Sequence, residues 1–436
     1  MGNIVKIQAL KGFKDILPQE VALWRQLEEK ARQVFERFTC EEIRLPILEE
    51  TELFARSIGE ATDIVEKEMY TFVDKKVTMR PEATASLLRA YIEHGLHVVK
   101  PVQRLFTIGP MFRHERPQKG RLRQFHQLDV EVLGSQHPRV DAELMAMAAT
   151  LLDELSITTS LEINSLGCPA CRPLYREKLL LFIDGRKDSL CADCQRRSVV
   201  NPLRVLDCKV AGCRAQVEEA PSLVEHLCTE CAEHFAQVRG GLEQLGIPYQ
   251  VNKFMVRGLD YYCRTTFEFV TGDLGAQAAV GAGGRYDGLI ESLGGPKGCP
   301  GIGFAMGMER LVLLMQQRQG EKETAAPGVD LFIAAMGEPA VARGFALGHE
   351  LRRLGHSVAM DYEGRSLKSQ MKQANKAGAR YALIIGDDEL AAGRGQLRPM
   401  DGEEQRTVEL DAAALAACFY PGVAQAGPDA YNHLII

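Results

Sequence analysis

Arg113, Arg121 and Arg123 flank one loop of the stretch Phe112-Arg-His-Glu-Arg-Pro-Gln-Lys-Gly-Arg-Leu-Arg-Gln-Phe-His-Gln-Leu-Asp-Val-Glu-Val-Leu-Gly134. A guanidinium offers a planar fork of donors that fits a phosphate or a carboxylate. After the loop the chain alternates, so Phe125, Gln127, Asp129 and Glu131 share one face of a strand. Cations beside an inward row of amide and carboxyl groups suit a small zwitterion and a polyphosphate. A solvated hairpin does not need inward polar groups at that density. The competing account is a set of surface salt bridges.

A second chemistry is carried by cysteine. The chain has twelve, and eight lie between Cys168 and Cys231. Cys168-Pro-Ala-Cys171 and Cys191-Ala-Asp-Cys194 are two tight thiolate knuckles, and two such knuckles close a tetrahedral zinc site. Cys208 and Cys213, with Cys228-Thr-Glu-Cys231, form a second quartet in sequence order. The first quartet is the stronger signal, and a distribution out of sequence order is also open. Four thiolates leave no vacant position on the ion, so both sites read as structural. Reduced core cysteines, disulfides and an iron–sulfur cluster are the alternatives.

Three further stretches offer ligand-binding groups. Arg80-Pro-Glu-Ala-Thr84 places a carboxylate and a hydroxyl, Glu82 and Thr84, where an ammonium could be received. The same residues also make a good helix start. Val256-Arg-Gly-Leu-Asp-Tyr-Tyr-Cys-Arg-Thr-Thr-Phe-Glu268 brings Arg257 as a second cation and Tyr262 as a ring with a hydroxyl, with sheet packing as the alternative. Gly301-Ile-Gly-Phe-Ala-Met-Gly-Met-Glu-Arg310 leaves room for a planar ligand on the backbone and ends on a cation. Ala282-Gly-Gly-Arg-Tyr-Asp-Gly288 lacks the Gly-Lys-Thr/Ser ending of a P-loop.

The elements that must hold these groups are legible from periodicity. Val21, Trp24, Leu27, Ala31, Val34, Phe35 and Phe38 make one helical stripe after Pro18. Ile43 and Leu45 suggest a short edge strand broken at Pro46, which could pair across a dimer axis. A hairpin is expected around Asp74-Lys75, then a helix from Ala85 to Glu93. The opening stretch reads as two antiparallel strands joined by a charged loop with Pro117 and Gly120 at its tip. A helix over Asp141–Leu155 and a strand at Leu161–Ser165 follow. The cysteine-rich block to about Gln250 is mostly helical turns. After a polar linker at 316–328 the pattern becomes alternating strands and helices, an α/β domain. There Arg365, Lys368, Lys372 and Lys376 form a basic series, either a solvated helix face or an RNA-backbone contact.

The whole chain bounds these readings. Its 436 residues suffice for two or three domains, and a net charge of -6 gives no whole-molecule attraction to nucleic acid. No apolar run is long enough to span a membrane, and the first residues lack a secretory apolar segment. A cytoplasmic protein is expected.

Five of these stretches, in order, resemble motifs of the bacterial-type histidyl-tRNA synthetases, members of the class II aminoacyl-tRNA synthetases. The resemblance runs from about Lys11 to Leu410. Arg44-Leu-Pro46 through Glu49 is similar to the class's first motif, Phe112 to Gln127 to its second and Gly301 to Arg310 to its third. Arg257 to Tyr262 and Ala282 to Gly288 resemble the stretches particular to histidine. Ala83 and Thr266 depart from the residues usual there, Gly and Val.

The resemblance implies a multidomain α/β fold: a class II antiparallel sheet flanked by helices, a mostly helical insertion and a C-terminal α/β anticodon-binding domain. The expected division is 1–166 and 251–320 for the catalytic domain, 167–250 for the insertion and 328–424 for the anticodon-binding domain. It implies ATP- and Mg²⁺-dependent activation of L-histidine, then transfer to tRNA(His), by a homodimer. Arg113 would contact the α-phosphate and the histidine carboxylate, with Arg257 as the second catalytic cation. Arg310, with Glu115, Arg121 and Phe125, would hold ATP. Glu82 and Thr84 would bind the amino group, and Gln127 would place the reacting carboxylate. Glu131 and Tyr262 would read the imidazole, with Tyr261 and Tyr286 in the same set. Arg116 and Gln118 would meet the acceptor end of the tRNA. The cysteines are no part of the resemblance; one or two structural Zn²⁺ per chain is read from spacing alone. The rivals are the synthetase-like regulatory subunit of histidine biosynthesis and a non-enzymatic RNA-binding scaffold.

Overall fold

The structure, a computed structural model, describes residues 6–59, 62, 64–118, 120–256, 261–274, 279–319 and 328–419. The chain divides into two compact units, Met1–Glu321 and Lys322–Ile436.

The strands of the first unit are β1 (Glu41–Glu42), β2 (Leu48–Glu50), β3 (Tyr70–Phe72), β4 (Val77–Met79), β5 (Gln103–Phe112), β6 (Gln124–Leu133), β7 (Ser160–Ser165), β8 (Tyr249–Val251), β9 (Cys263–Val270), β10 (Ala279–Arg285) and β11 (Gly301–Gly307). Eight form one sheet in the order β1-β5-β6-β11-β10-β9-β7-β8. Its six central strands are antiparallel, and the short strands β1 and β8 add in parallel at the edges. Strands β2, β4 and β3 make a separate small sheet. The stretch around Pro46 thus does not make one strand. Its two ends join different sheets, with the proline at the break.

One face of the large sheet is covered by helices Pro18–Arg37 and Pro138–Glu154, with Thr229–Gln244 and Met308–Gln319 in the same core. Leu27, Val34 and Phe35 of the first are fully buried with Phe106, Leu128, Val130, Leu151 and Phe304. Burial of each such side chain stabilises by about 1.5–3 kcal/mol. On β6 the alternation does the sorting: Leu128, Val130 and Val132 enter this core, so Gln127, Asp129 and Glu131 must face the other way.

The cysteine-rich block folds into helices Arg172–Asp184, Ala192–Val200, Ala211–Val217 and Thr229–Gln244. Its Tyr175, Leu179 and Val205 belong to one core with Leu87 and Tyr91 of helix Thr84–Glu93.

The second unit has strands β12 (Leu331–Ala335), β13 (Val358–Met360), β14 (Tyr381–Ile385), β15 (Arg394–Pro399) and β16 (Arg406–Glu409) in the order β13-β12-β14-β15-β16. β12 pairs in parallel with β13 and β14, and the remaining pairs are antiparallel. Helix Glu338–Arg353 covers it through Leu347 and Leu351, and helix Ala412–Phe419 through Leu415 and Phe419. Strand β15 is not evident from composition: in Arg-Gly-Gln-Leu-Arg-Pro only Leu397 is a good strand former, and its pairing with β14 decides it. Among the described residues no helix is long and apolar enough to cross a membrane.

Candidate active site

The polar face of β6, the glycine-rich strands β10 and β11 and the start of helix Thr84–Glu93 surround a cavity of about 340 Å³. Glu82, Thr84, Arg113, Glu115, Arg121, Phe125, Gln127, Glu131, Tyr261, Tyr262, Tyr286 and Arg310 all line it. The glycines explain how so many large groups fit. Gly301 lies under the Tyr286 ring, where a Cβ would come within 2.2 Å of it. A Cβ on Gly284 would fall 2.9 Å from the Tyr262 ring. Gly303 pairs with Glu131 across the β6–β11 register.

At one end is a buried acidic cluster. Glu131 accepts a hydrogen bond from the Thr84 hydroxyl at 2.6 Å and another from the Tyr286 hydroxyl. Glu82 accepts from the backbone N–H groups of Thr84 and Ala85 at 2.8 and 2.9 Å. The helix-start reading of Glu82 is therefore literal, since its carboxylate caps the first turn. Burial pushes Glu131 up to about 8 and raises Glu82 above its ordinary value. Asp129, only 1% exposed, is raised well above the carboxylate range by burial and then by Glu131 and Glu82. Its Oδ2 and the Oε1 of Gln127 are buried without a hydrogen-bond partner. Asp129 is the group that motif-by-motif reading under-weighted. Its signal was present, since it sits between Gln127 and Glu131 on the alternating face.

The other end is cationic. Arg113 donates to the Pro81 carbonyl at 2.8 Å, and its guanidinium lies 5.2 Å from the centre of the Phe125 ring. Arg310 donates to the carbonyls of Gly120 and Ala279. Desolvation lowers its pKa, and Arg121 pushes it the same way. Arg121 pairs with Glu115 at 3.0 Å. Glu309 accepts from the backbone N–H of His126 at 2.9 Å, tying helix Met308–Gln319 to β6.

Three expectations need correction or placement. Arg123 does not join the cationic set: it donates to the carbonyls of Glu115 and Lys11 at 3.3 Å and packs along Gly12. Arg116 and Gln118 are exposed on the connecting loop and line no part of this cavity. Arg257 lies outside the described residues. Beneath the cavity, the arginine of Ala282-Gly-Gly-Arg-Tyr-Asp-Gly288 is structural. Arg285 is fully buried and grips Asp141 with two donors, with further bonds to the Ser135 carbonyl and Asp287.

The eight clustered cysteines gather into two groups of four, but not in sequence order. Cys168 and Cys171 face Cys228 and Cys231; Cys191 and Cys194 face Cys208 and Cys213. The serial grouping of 168, 171, 191 and 194 is overturned, because helix Arg172–Asp184 carries the chain away between the first two knuckles. Within each group the sulfurs lie within 4.8 Å of one another, with Cys168–Cys171 at 3.7 Å, Cys168–Cys228 at 3.9 Å and Cys191–Cys208 at 4.0 Å. The backbone N–H groups of Cys228 and Cys191 donate to Cys171 Sγ and Cys213 Sγ, each at 3.1 Å.

Comparison with known proteins gives this geometry its context. The family model described as histidyl-tRNA synthetase matches residues 12–170 and 186–311, and the anticodon binding domain model matches 330–415. A histidine–tRNA ligase of Desulfotalea psychrophila is 67% identical over 413 residues, covering 95% of this chain and 96% of that one. One of Geobacter metallireducens is 57% identical over 414 residues, covering 94% and 99%. The crystal structure of apo S. aureus histidyl-tRNA synthetase superposes with a TM-score of 0.78 at 36% identity, covering 94% of this chain and 99% of that one. With the histidyl-tRNA synthetase model and the anticodon binding domain model matched in order, and relatives aligned over nearly their full length, this chain belongs to the histidyl-tRNA synthetase family.

Proposed function

We propose that this histidine–tRNA ligase forms its histidyl-adenylate in the cavity between the acidic cluster and Arg113. The single observation carrying the assignment is the pair of buried, unpartnered oxygens, Gln127 Oε1 and Asp129 Oδ2, beside Glu82 and Glu131. Buried acceptors without donors are costly. A substrate with an ammonium and a ring N–H would supply donors there, while its carboxylate points toward Arg113. Glu82, Thr84 and Asp129 would take the amino group, Gln127 would place the carboxylate, and Glu131, Tyr261, Tyr262 and Tyr286 would enclose the imidazole. Because these partners are buried, an analogue leaving them unpaired should be rejected by about 10⁴–10⁵.

The histidine carboxylate oxygen attacks the α-phosphorus of ATP, the P–O bond to the β-phosphate breaks, and diphosphate leaves. A ribose hydroxyl of tRNA(His) then attacks the acyl carbon and releases AMP. Arg113 and Arg257 would offset charge at the α-phosphate, and Arg310, Arg121 and Phe125 would hold the rest of ATP. Family membership implies Mg²⁺. Glu115 and Glu268, carboxylates lining the cavity, are oxygen donors of the kind it takes, and when bound it would neutralise phosphate charge. Arg116 and Gln118 would meet the tRNA acceptor end.

The same reading assigns catalysis to 1–166 and 251–320, the insertion to 167–250 and anticodon binding to 328–424. It assigns one zinc to each cysteine quartet. A tetrahedral zinc with bonds of about 2.3 Å requires sulfurs about 3.8 Å apart, close to the separations found. It includes a homodimer, supported by exposed Ile47, Leu48, Phe72 and Val73 around the small sheet, and a cytoplasmic location. Histidine-dependent ATP–pyrophosphate exchange together with histidylation of tRNA tests the assignment. Both activities are expected in the wild type, and Asp129→Asn should weaken histidine use far more than ATP use. Exchange without histidylation would instead favour a regulatory relative.

A further inference from the structure

We propose that the quartet Cys168, Cys171, Cys228 and Cys231 governs the histidine pocket through Arg172, which acts as a positioning residue. The proposal rests on the zinc reading above. Arg172 follows Cys171 directly, and its guanidinium donates to the backbone carbonyls of Leu166, at 3.5 Å, and Tyr262. The turn just before the first knuckle is laced to the same strand. Leu166 N–H donates to the Arg264 carbonyl at 2.7 Å, and Arg264 N–H donates to Gly167 at 2.8 Å.

What this lacing holds is strained. Arg264 has φ +48, a left-handed conformation costly for a non-glycine residue. It lies where the β9–β10 register shifts between Gly284 and Arg285. That irregularity lets the Tyr262 ring lie against Gly284, 4.6 Å from the ring of Tyr261, inside the cavity. The knuckle itself is set by Gly167, at φ +61, where a Cβ would fall 2.7 Å from that of Cys171. A metal held by all four sulfurs ties this turn to helix Thr229–Gln244. Without it, nothing covalent fixes Arg172 over the Tyr262 carbonyl.

The test is metal content by elemental analysis, KM for histidine and for ATP in pyrophosphate exchange, and histidine affinity by calorimetry, all on the full-length protein. About two zinc per chain are expected in the wild type. Arg172→Ala should keep both zinc ions, raise KM and Kd for histidine about tenfold or more, and leave KM for ATP within about twofold. Arg172→Lys should recover part of the loss. Cys228→Ser should lose one zinc and show the same histidine defect, with no further loss when Arg172→Ala is added. If Cys228→Ser does not fold, chelation of zinc from the folded wild type before histidine calorimetry replaces it. An Arg172→Ala protein with both zinc ions and an unchanged histidine KM overturns the coupling and leaves the zinc reading standing. A wild type devoid of zinc overturns both.

Discussion

Gly303 stands directly across from Glu131, and a Cβ placed on it would lie 1.6 Å from Glu131 Oε2 and 2.7 Å from the Val130 carbonyl. The carboxylate occupies the space a side chain would fill. Since Glu131 also anchors Thr84 and Tyr286, displacing it would disturb three groups of the acidic cluster. Gly303→Ala should therefore abolish measurable histidine binding while ATP binding persists. It should also cost about 1–3 kcal/mol of stability from overpacking. Calorimetric titration of each ligand and urea denaturation check this, and tight histidine binding by the variant would contradict it.

Arg113→Ala should lower exchange turnover by about 10²–10³, the equivalent of roughly 2.7–4 kcal/mol, by analogy with removal of an oxyanion donor. The change should fall mainly on kcat, because charge builds at phosphorus in the transition state. A variant altered only in KM for ATP would make Arg113 a ground-state binder.

The buried acidic cluster gives a pH dependence with a definite sign. Glu131, Glu82 and Asp129 bind protons more tightly in the folded chain than in the unfolded one. Their contribution is present in full below the ordinary carboxyl range and is lost as pH rises, through about 8 for Glu131. Ligand-free stability should fall between about pH 5 and 9 by an amount on the order of a few kcal/mol. Glu131→Gln should flatten that slope in denaturation midpoints. Histidine, bringing a cation to the cluster, should release protons, seen as a buffer-dependent binding enthalpy.

Pairwise substitution distinguishes the cysteine groupings by metal count. In the observed arrangement, Cys168→Ser with Cys191→Ser should lose both zinc ions, whereas Cys168→Ser with Cys228→Ser should lose one. The serial arrangement requires the reverse. Elemental analysis of the two double variants decides it.

Asp141→Ala should destabilise the chain by about 3–5 kcal/mol, because it strands the fully buried Arg285 without its main partner. Thermal unfolding measures this. Asp141→Asn, which keeps one acceptor, should cost less.

Much of this architecture is written locally. The stripe Leu27, Ala31, Val34 and Phe35 and the alternation of β6 need only helix and strand periodicity to be seen. Periodicity also placed Gln127, Asp129 and Glu131 on one face. What it cannot express is contact between distant segments. Arg123 reads as an equal of Arg113, and the Glu115 carbonyl together with the approach of Lys11 and Gly12 takes it out of the site. The cysteine spacing revealed the Cys-x-x-Cys knuckles, but the direction of helix Arg172–Asp184 chose their partners. Strand β15 exists because β14 and β16 flank it. The glycines of β11 looked like room for a ligand; two of them make room for Glu131 and Tyr286.

The cysteine arrangement also has a temporal side. The quartet of Cys191, Cys194, Cys208 and Cys213 is wholly enclosed, in chain order, between the two halves of the other. On a ribosome the enclosed site is complete once residue 213 has emerged, while the enclosing one must wait for residue 231. With a metal ion in each quartet, connectivity would dictate the assembly sequence: the inner fastening would close first over a short loop, and the outer would then close a loop already shortened by the inner one. A serial arrangement would also have closed in order, at residues 194 and 231, but as two independent loops, neither shortened by the other.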